Sequence, residues 1–279
     1  MTSRAGLIEE VNEPAGRWSL PRIRETWEHR ELIYFLGRRD IAVRYKQAVL
    51  GTGWVILQPV LLALIFTVFL NLLGRKIPTS GVPYGVFALL GMTMWLFFAT
   101  AMARCTESTV SNVELISKVY FPRLVIPVAA LAQPAFDFCV SLAVLVVVML
   151  AFGVLPDAHV LLLPLVFALA LALAVGVGLW LSALVVRYRD VKLLIPFLIQ
   201  TLIFITPVLY PLALIPEKYQ ALYAINPLVG VMEGFRWALL PGAPSPGAIL
   251  LVPVASGLLL LVGGLFYFQR AEASFADVI

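Results

Sequence analysis

Residues 160–186 read VLLLPLVFALALALAVGVGLWLSALVV, a run of 27 residues without a single Asp, Glu, Lys or Arg. A helix rises about 1.5 Å per residue, so about 20 largely apolar residues cross the hydrocarbon core of a bilayer, which is about 30 Å thick. The run is long enough to do so. It predicts a helix that spans a membrane.

Five further stretches have the same apolar character. They cover residues 54–73, 84–103, 125–152, 193–210 and 248–268. The whole chain is 61% hydrophobic and only 13% charged, whereas soluble domains carry about 25% charged residues. The sequence therefore predicts an all-α, polytopic membrane protein with six transmembrane helices.

The basic residues favour one side of this six-span arrangement. Nine Lys or Arg precede the first span, three lie between spans two and three, three lie between spans four and five, and one follows the last span. The loops on the opposite side hold four. Because Lys and Arg are concentrated in cytoplasmic loops, both termini are predicted to be cytoplasmic. We expect tails at 1–30 and 271–279 around a single transmembrane domain, 31–270, and no nucleic-acid partner.

The segment 31–50, ELIYFLGRRDIAVRYKQAVL, mixes apolar and basic residues just before the first span. Lys and Arg beside aliphatic and aromatic side chains suit an amphipathic helix that lies in the membrane interface. Gly37 is a candidate break in this helix. An ordinary basic linker is the alternative interpretation.

The connection 211–246, before the last span, is unusually apolar for a free loop, yet its pieces are too short to span a bilayer. Prolines at 211, 216, 227 and 241 are expected to begin or end short helices. We predict two such helices, at about 217–224 and 227–240, and interpret them as an external re-entrant pair. An amphipathic surface loop is the alternative.

Span three contains Asp137, the only ionisable residue in the core of a predicted span. It lies about 18 Å along a helix that begins at residue 125, near the bilayer midplane. Gln133, Asp137 and Ser141 recur at every fourth residue and share one helix face. Charges at this depth mark functional sites by default, so these residues are candidates for a substrate path. A hydrogen-bonded helix contact, with the Gln58 or Gln200 amide as partner, is the alternative.

Span two contributes Trp95 and Phe98 as further candidates for the substrate path. Aromatic faces stack on the apolar faces of sugars without fixing a register, which suits a conduit for a repeating polymer. Most aromatic residues in membrane proteins are interfacial anchors or face lipid, and that interpretation stays open.

Catalytic motifs are missing from the sequence. There is no GxxxxGK[ST] phosphate loop, no HExxH and no GxSxG. The two cysteines and two histidines lack the spacing of metal ligands. No catalytic residue, metal site or bound cofactor is predicted. A membrane transferase would require an acidic pair at an interface, for which Glu217 and Glu233 are weak candidates. A stand-alone secondary transporter is disfavoured because the chain has no internal repeat.

Five stretches, in order along the chain, resemble the permease subunit of ABC transporters that export O-antigen, capsular polysaccharide or teichoic acid. The stretches are 38–51 (RRDIAVRYKQAVLG) with Trp54 and Pro59, Glu107 with 118–123 (KVYFPR) and Pro127, 187–191 (RYRDV), 206–211 (TPVLYP) with 215–216 and 226–227, and Glu272 with 275–279 (FADVI). Together they extend over nearly the whole chain.

This resemblance implies roles for three regions. The segment 31–50 resembles a gate helix, and 104–124 resembles a coupling region that docks on an ATPase. The segment 211–246 resembles the helix pair at a channel exit. The gate residues are then Arg38, Arg39, Arg44 and Tyr45; the coupling residues are Glu107, Lys118, Tyr120, Phe121, Pro122 and Arg123; the external residues are Tyr210, Pro211, Pro216, Asn226 and Pro227.

The resemblance also implies partners and a location. Two copies of the chain would pair with two ATP-binding cassette ATPase subunits, which would hold ATP and Mg, in the plasma (inner) membrane of a bacterium. The substrate would be a lipid-linked polysaccharide, an undecaprenyl-linked glycan, and an O-antigen-like glycan is favoured. Export of teichoic acid or of a small molecule stays open.

Overall fold

The computed structural model describes residues 23–46, 53–74, 77–79, 81–188 and 190–278, and for 273–278 it describes the helix but not the side chains. The described part of the chain is helical and contains no strand, which confirms the predicted all-α class. The helices are α1 (Ile23–Glu28), α2 (Arg30–Lys46), α3 (Gly53–Leu72), α4 (Tyr84–Ser111), α5 (Val113–Lys118), α6 (Val125–Ala129), α7 (Ala132–Ala151), α8 (Leu163–Arg187), α9 (Val191–Ile205), α10 (Glu217–Ala224), α11 (Pro227–Leu239) and α12 (Leu251–Val278). Short 3-10 turns cover Ala158–Leu162, Leu212–Leu214 and Gly247–Leu250.

Among the described residues, five helical stretches are long and apolar enough to cross a membrane. They are Gly53–Leu72, Tyr84–Ser111, Val125–Ala151, Ala158–Arg187 and Gly247–Glu272. These stretches correspond, to within a few residues at each end, to five of the six predicted spans. The chain is therefore a multi-pass membrane protein.

The span predicted over 193–210 is shorter than expected. Its helix, α9, ends at Ile205 after 15 residues, so it is about 22 Å long. Thr206 is extended, with φ −112° and ψ 135°, because a residue that precedes proline disfavours the helical conformation. Pro207 also lacks the N–H that would continue the helix. The predicted helix end at 210 was wrong.

Helix α4 lies at the centre of the bundle. Leu90, Met94 and Met102 are among its large, fully buried side chains, and it packs against α3, α7 and α8. In contrast, α3 is largely exposed, and α9 buries only Ile195. These two helices therefore leave apolar surface uncovered in the single chain.

Helices α8 and α12 cross closely because both have glycine at the contact. A Cβ on Gly264 would lie 2.8 Å from the carbonyl oxygen of Gly176, and a Cβ on Gly176 would lie 2.8 Å from the Leu260 carbonyl carbon. Small residues permit this approach, which provides the packing that holds helices together in lipid. A buried hydrogen bond of 2.8 Å between the Thr109 and Ser182 hydroxyls joins α4 to α8.

Helix α2 lies across the junction between α6 and α7. It continues without a break past Gly37, so the candidate break at this residue was wrong. A Cβ on Gly37 would lie 2.7 Å from the Ala132 Cβ and 3.4 Å from the Ala129 carbonyl oxygen. The glycine is needed for close contact between helices. Residues 47–50, the end of the predicted gate segment, lie outside the described residues, as do 1–22 of the predicted tail.

Candidate functional site

The candidate residues fall at the two ends of the bundle. The α2 end contains α2, α5 and the C-terminal end of α4, and the α11 end contains α10, α11 and the segment after α9. Among the described residues, no three His, Cys, Asp or Glu side chains are grouped so that they could hold a metal ion. The chemistry of both ends therefore consists of ion pairs, hydrogen bonds and aromatic contacts.

Asp137 connects α7 to α2. Its carboxylate accepts hydrogen bonds from the Tyr45 hydroxyl and from the Gln133 amide, at 3.1 Å. The Arg44 guanidinium lies 3.5 Å from the same carboxylate. Burial, reinforced by the hydrogen bond to Asp137, raises the pKa of Tyr45 above its usual range, so the phenol stays protonated and donates.

These contacts favour a structural connection between α2 and α7, although a role in transport stays a prediction. The amides of Gln58 and Gln200 are exposed and do not bond Asp137, so the partners expected from the sequence were wrong. Ser141, one turn further along α7, is buried. The two partners from α2 could not be found from the sequence, since 92 residues separate Tyr45 from Asp137.

A cleft of about 460 Å³ lies beside this contact, between α2 and the C-terminal end of α4. We call it the α2–α4 cleft. Its charged lining consists of Arg39, Asp40, Arg44, Arg104 and Glu107. The guanidinium of Arg39 donates to Asp40 at 2.8 Å and to the Asn112 side chain at 3.1 Å.

The structure thus divides the predicted gate residues. Arg39 and Arg44 line the α2–α4 cleft, Tyr45 bonds Asp137, and Arg38 is exposed. Three of the four predicted gate residues therefore lie in or beside the α2–α4 cleft.

The predicted coupling residues do not form one surface. Lys118 and Tyr120 are exposed, and Lys118 lies 3.5 Å from Glu114 within α5. Phe121 and Pro122 are buried. Phe121 packs in a small apolar cluster with Leu36 of α2 and with α6. Glu107 lines the α2–α4 cleft.

Arg123 contacts the last helix instead. Its backbone N–H donates to the Glu272 carboxylate at 3.2 Å, and its guanidinium donates to the Glu272 backbone carbonyl. This contact joins the predicted coupling region to α12. The family resemblance includes both residues but does not pair them, since 149 residues separate them.

The aromatic candidates for the substrate path lie in the core. Trp95 and Phe98 are each 3% exposed, with ring centroids 6.4 Å apart. In the single chain neither ring faces an open surface. Their role in lining a path for substrate stays a prediction.

The external residues form hydrogen bonds around the end of α9. Tyr210 donates to the Phe204 carbonyl at 2.8 Å. Asn226 caps α11 by accepting from the Leu228 N–H at 3.0 Å, and its amide donates to the Thr206 hydroxyl at 3.0 Å. Pro227 occupies the first turn of α11, where a missing N–H costs nothing. Pro211 and Pro216 flank the 3-10 turn Leu212–Leu214 and its C-cap.

Arg236 is the functional candidate that sequence reasoning missed. It is 3% exposed and lies 2.6 Å from Glu233. Its guanidinium donates to the carbonyls of Pro207 and, at 3.0 Å, Val208, and lies 4.2 Å from the centre of the Phe87 ring. Non-helical backbone at membrane depth must find hydrogen-bond partners within the protein, and Arg236 supplies them. A Glu and an Arg three residues apart in an apolar helix were the available signal.

Comparison with known proteins identifies the family of the chain. The ABC-2 type transporter family matches residues 31–240. The chain is similar to the O-antigen export system permease protein RfbA of Klebsiella pneumoniae, with 29% identity over 89% of the chain and 95% of the relative. It is also similar to the protein of that name from Myxococcus xanthus, with 27% identity over 92% of the chain and 98% of the relative. The polysialic acid transport protein KpsM of Escherichia coli is 28% identical over 84% of the chain and 92% of the relative. The chain belongs to the ABC-2 type transporter family.

Proposed function

We propose that this chain is the transmembrane, channel-forming subunit of an ATP-driven exporter that moves a lipid-linked polysaccharide, most simply an O-antigen-like glycan, across a bacterial inner membrane. The observation that carries the proposal is the similarity to O-antigen export permeases, which extends over 95% and 98% of those proteins. The similarity to a polysialic acid transport protein supports a polysaccharide as the class of substrate.

ATP hydrolysis is assigned to a separate ATPase subunit, which would bind ATP and Mg. The chain has no phosphate-binding loop of its own. The exposed part of the predicted coupling region, Glu114, Lys118 and Tyr120, offers two charges and an aromatic ring to a partner. Aromatic residues are enriched in protein interfaces and charged residues lie at their rim, so Tyr120 is the central contact proposed here and Glu114 and Lys118 are peripheral ones. The permease itself is then not an enzyme.

The proposed topology has six spans with both termini in the cytoplasm. Helix α9 together with the turn at residues 206–210 forms the additional crossing, and α10 and α11 then lie in the outer leaflet as re-entrant helices. The apolar side chains exposed on α10 and just after it, such as Leu222 and Ile225, suit contact with lipid. The concentration of Lys and Arg on the opposite side supports this orientation.

A second copy of the chain is proposed to cover α3 and α9. Both helices expose apolar side chains, among them Leu64 and Phe197, and each also exposes an amide, Gln58 or Gln200. Polar side chains within membrane helices usually face protein or a water-filled cavity. Contact between two copies along these helices would place the amides at the interface or beside a channel.

Reconstitution tests the proposed function directly. The permease and its ATPase subunit are placed in vesicles with an undecaprenyl-linked glycan on the ATP side, and the amount of glycan reached by an impermeant lectin on the other side is measured. We expect ATP-dependent appearance of the glycan, abolished when the ATPase cannot hydrolyse. Vesicles that export a small amphiphile but no glycan under these conditions would refute the assignment. If a capsular glycan without undecaprenyl were transported in preference to the undecaprenyl-linked glycan, the capsular glycan would be the assigned substrate.

A further inference from the structure

Two opposite charges in the α2–α4 cleft have no ion-pair partner within 4.0 Å among the described residues: Arg104 and Glu107. The other charges of the lining are matched, since Arg39 pairs with Asp40 and Arg44 pairs with Asp137. Arg104 and Glu107 are one turn apart on α4, so they lie on the same face of the helix. The cleft therefore offers one cation and one carboxylate to a ligand.

The position of these residues along α4 places the cleft at the level of lipid headgroups. Arg104 is 20 residues beyond Tyr84, the first residue of α4, a distance of about 30 Å and equal to the thickness of the hydrocarbon core. Glu107 lies about 4.5 Å farther along the axis. Two exposed valines lie near the charges, Val43 on the cleft wall and Val110 on α4. Apolar and charged groups thus meet where acyl chains and headgroups meet.

The lining restricts the class of ligand. Guanidinium groups bind phosphate through charge-assisted hydrogen bonds, and basic pockets between membrane helices bind lipid headgroups. A headgroup with only negative charge would meet the Glu107 carboxylate and be repelled. A zwitterionic headgroup that carries a phosphate and a primary ammonium satisfies both residues, since the ammonium can donate hydrogen bonds to a carboxylate. The cleft volume, about 460 Å³, is within the range of small-molecule sites.

We propose that the α2–α4 cleft binds the phosphoethanolamine headgroup of a membrane lipid, with Arg104 on the phosphate and Glu107 on the ammonium. The lipid would bridge α2 and α4 beside the Arg44–Asp137 contact and thereby favour the position of α2 seen here. The proposal requires a multi-pass membrane protein but does not depend on the exported substrate. Failure of this proposal would therefore leave the proposed function unaffected, and the reverse also holds.

Native mass spectrometry of the purified, delipidated full-length chain tests the proposal. Phosphatidylethanolamine, phosphatidylglycerol and phosphatidylcholine with identical acyl chains are titrated separately, and the fraction of protein carrying one lipid is measured. We expect phosphatidylethanolamine to bind about tenfold more tightly than phosphatidylcholine, whose quaternary ammonium has no N–H; tenfold is the scale of one charge-assisted hydrogen bond.

Two variants separate the roles of the charges. Arg104→Gln should weaken the binding of both phosphatidylethanolamine and phosphatidylglycerol by about tenfold, because the phosphate of each lipid loses a partner. Glu107→Gln should weaken the binding of phosphatidylethanolamine, whose ammonium loses its carboxylate. It should strengthen the binding of phosphatidylglycerol, because the carboxylate no longer repels the anionic headgroup. Glu217→Gln, which removes an exposed carboxylate from α10 at the other end of the bundle, is the matched control and should change the binding of neither lipid. If Arg104→Gln does not fold, Arg104→Lys and Glu107→Gln carry the test.

Several results would overturn the proposal. Equal binding of all three lipids would mean that the cleft does not distinguish between their headgroups. Weaker binding of phosphatidylglycerol by Glu107→Gln would exclude an arrangement in which Arg104 binds the phosphate and Glu107 the ammonium. Displacement of bound phosphatidylethanolamine by stoichiometric undecaprenyl diphosphate would assign the cleft to the carrier lipid. Loss of ATPase co-purification in both variants, with lipid binding unchanged, would assign it to a protein contact.

Discussion

Arg44 of α2 and Asp137 of α7 form an ion pair, with 3.5 Å between guanidinium and carboxylate. Tyr45 donates a hydrogen bond to the same carboxylate. Two consecutive residues of α2 thus contact one acid of a membrane-spanning stretch. The close approach of Gly37 to Ala132 provides a second attachment between the helices. Helix α2 is therefore fixed to the bundle at two points about two turns apart.

Replacement of Asp137 by Leu removes the acceptor that both α2 residues share. We expect normal membrane insertion and yield but a severalfold loss of ATP-dependent export, because the C-terminal half of α2 loses its position against α7. A double-mutant cycle with Arg44→Met, measured on the free energy of unfolding, should give a coupling of about 1 kcal/mol for this partly exposed pair. Arg38→Met is the control, since Arg38 is an exposed arginine on the same helix. Normal export by Asp137→Leu would limit the residue to a structural role.

Substitution of Lys118 and Tyr120 tests the proposed contact with the ATPase. Both side chains are exposed, Lys118 as the last residue of α5 and Tyr120 two residues after it, so Lys118→Glu with Tyr120→Ala should leave the fold intact. We expect weaker co-purification of the ATPase subunit and export reduced relative to ATP hydrolysis. Lys218→Glu reverses an exposed charge on α10 at the other end of the bundle and should have no effect on either measurement. Unchanged co-purification in the double variant would move the ATPase contact elsewhere.

Gly91 permits the turn after α9 to lie against α4. A Cβ there would be 2.0 Å from the Val208 carbonyl oxygen, so Gly91→Ala must displace residues 206–208 and weaken their hydrogen bonds to Arg236. Overpacking of this kind costs about 1–3 kcal/mol. We expect a lower midpoint of thermal unfolding in detergent, read from helical circular dichroism. Gly85→Ala, with 3.6 Å to the nearest atom, is the control on the same helix. Equal midpoints for the two variants would contradict the close approach.

Local patterns in the sequence predicted the helices of this protein well. Five apolar runs correspond to long helices. The short helices expected at 217–224 and 227–240 occur at Glu217–Ala224 and Pro227–Leu239, because Pro216 and Pro227 determine where each begins. These features depend on residues adjacent in the chain, so they can be read without a structure.

Contacts between distant residues could not be predicted in the same way. Gly37 is a candidate helix break in the sequence, since glycine has a low helix propensity, yet in the structure it allows α2 to approach Ala132. For Asp137 the sequence offers an amide of another span as the alternative to a substrate path, whereas its partners come from α2 and from its own helix. In the sequence Arg236 is only one of the four basic residues in the loops opposite the cytoplasmic side. In each case the deciding partner is fixed by tertiary packing, which a single sequence does not show.

Arg236 should be among the residues most sensitive to substitution at the α11 end. It is buried against Glu233, two backbone carbonyls and Phe87. Arg236→Met would leave the Glu233 carboxylate, with a side chain 13% exposed, without its cation, and the Pro207 and Val208 carbonyls without a donor. Removal of one partner of a buried ion pair costs about 3–5 kcal/mol. We expect this variant to unfold at a clearly lower temperature or denaturant concentration than the wild type.

The double variant Glu233→Met/Arg236→Met separates the ion pair from the carbonyl contacts. Because it removes both charges, it should recover part of the stability lost in Arg236→Met, whereas the part due to the unsatisfied carbonyls should persist. Arg236→Lys keeps the charge but lacks the planar fork that reaches two carbonyls and a carboxylate together, so it should be intermediate. Screening of buried pairs by salt is weak, and the ranking should hold at high ionic strength. If Arg236→Met were as stable as Lys218→Met, which alters an exposed lysine on α10, then the turn after α9 is held by other contacts and Arg236 does not fix it.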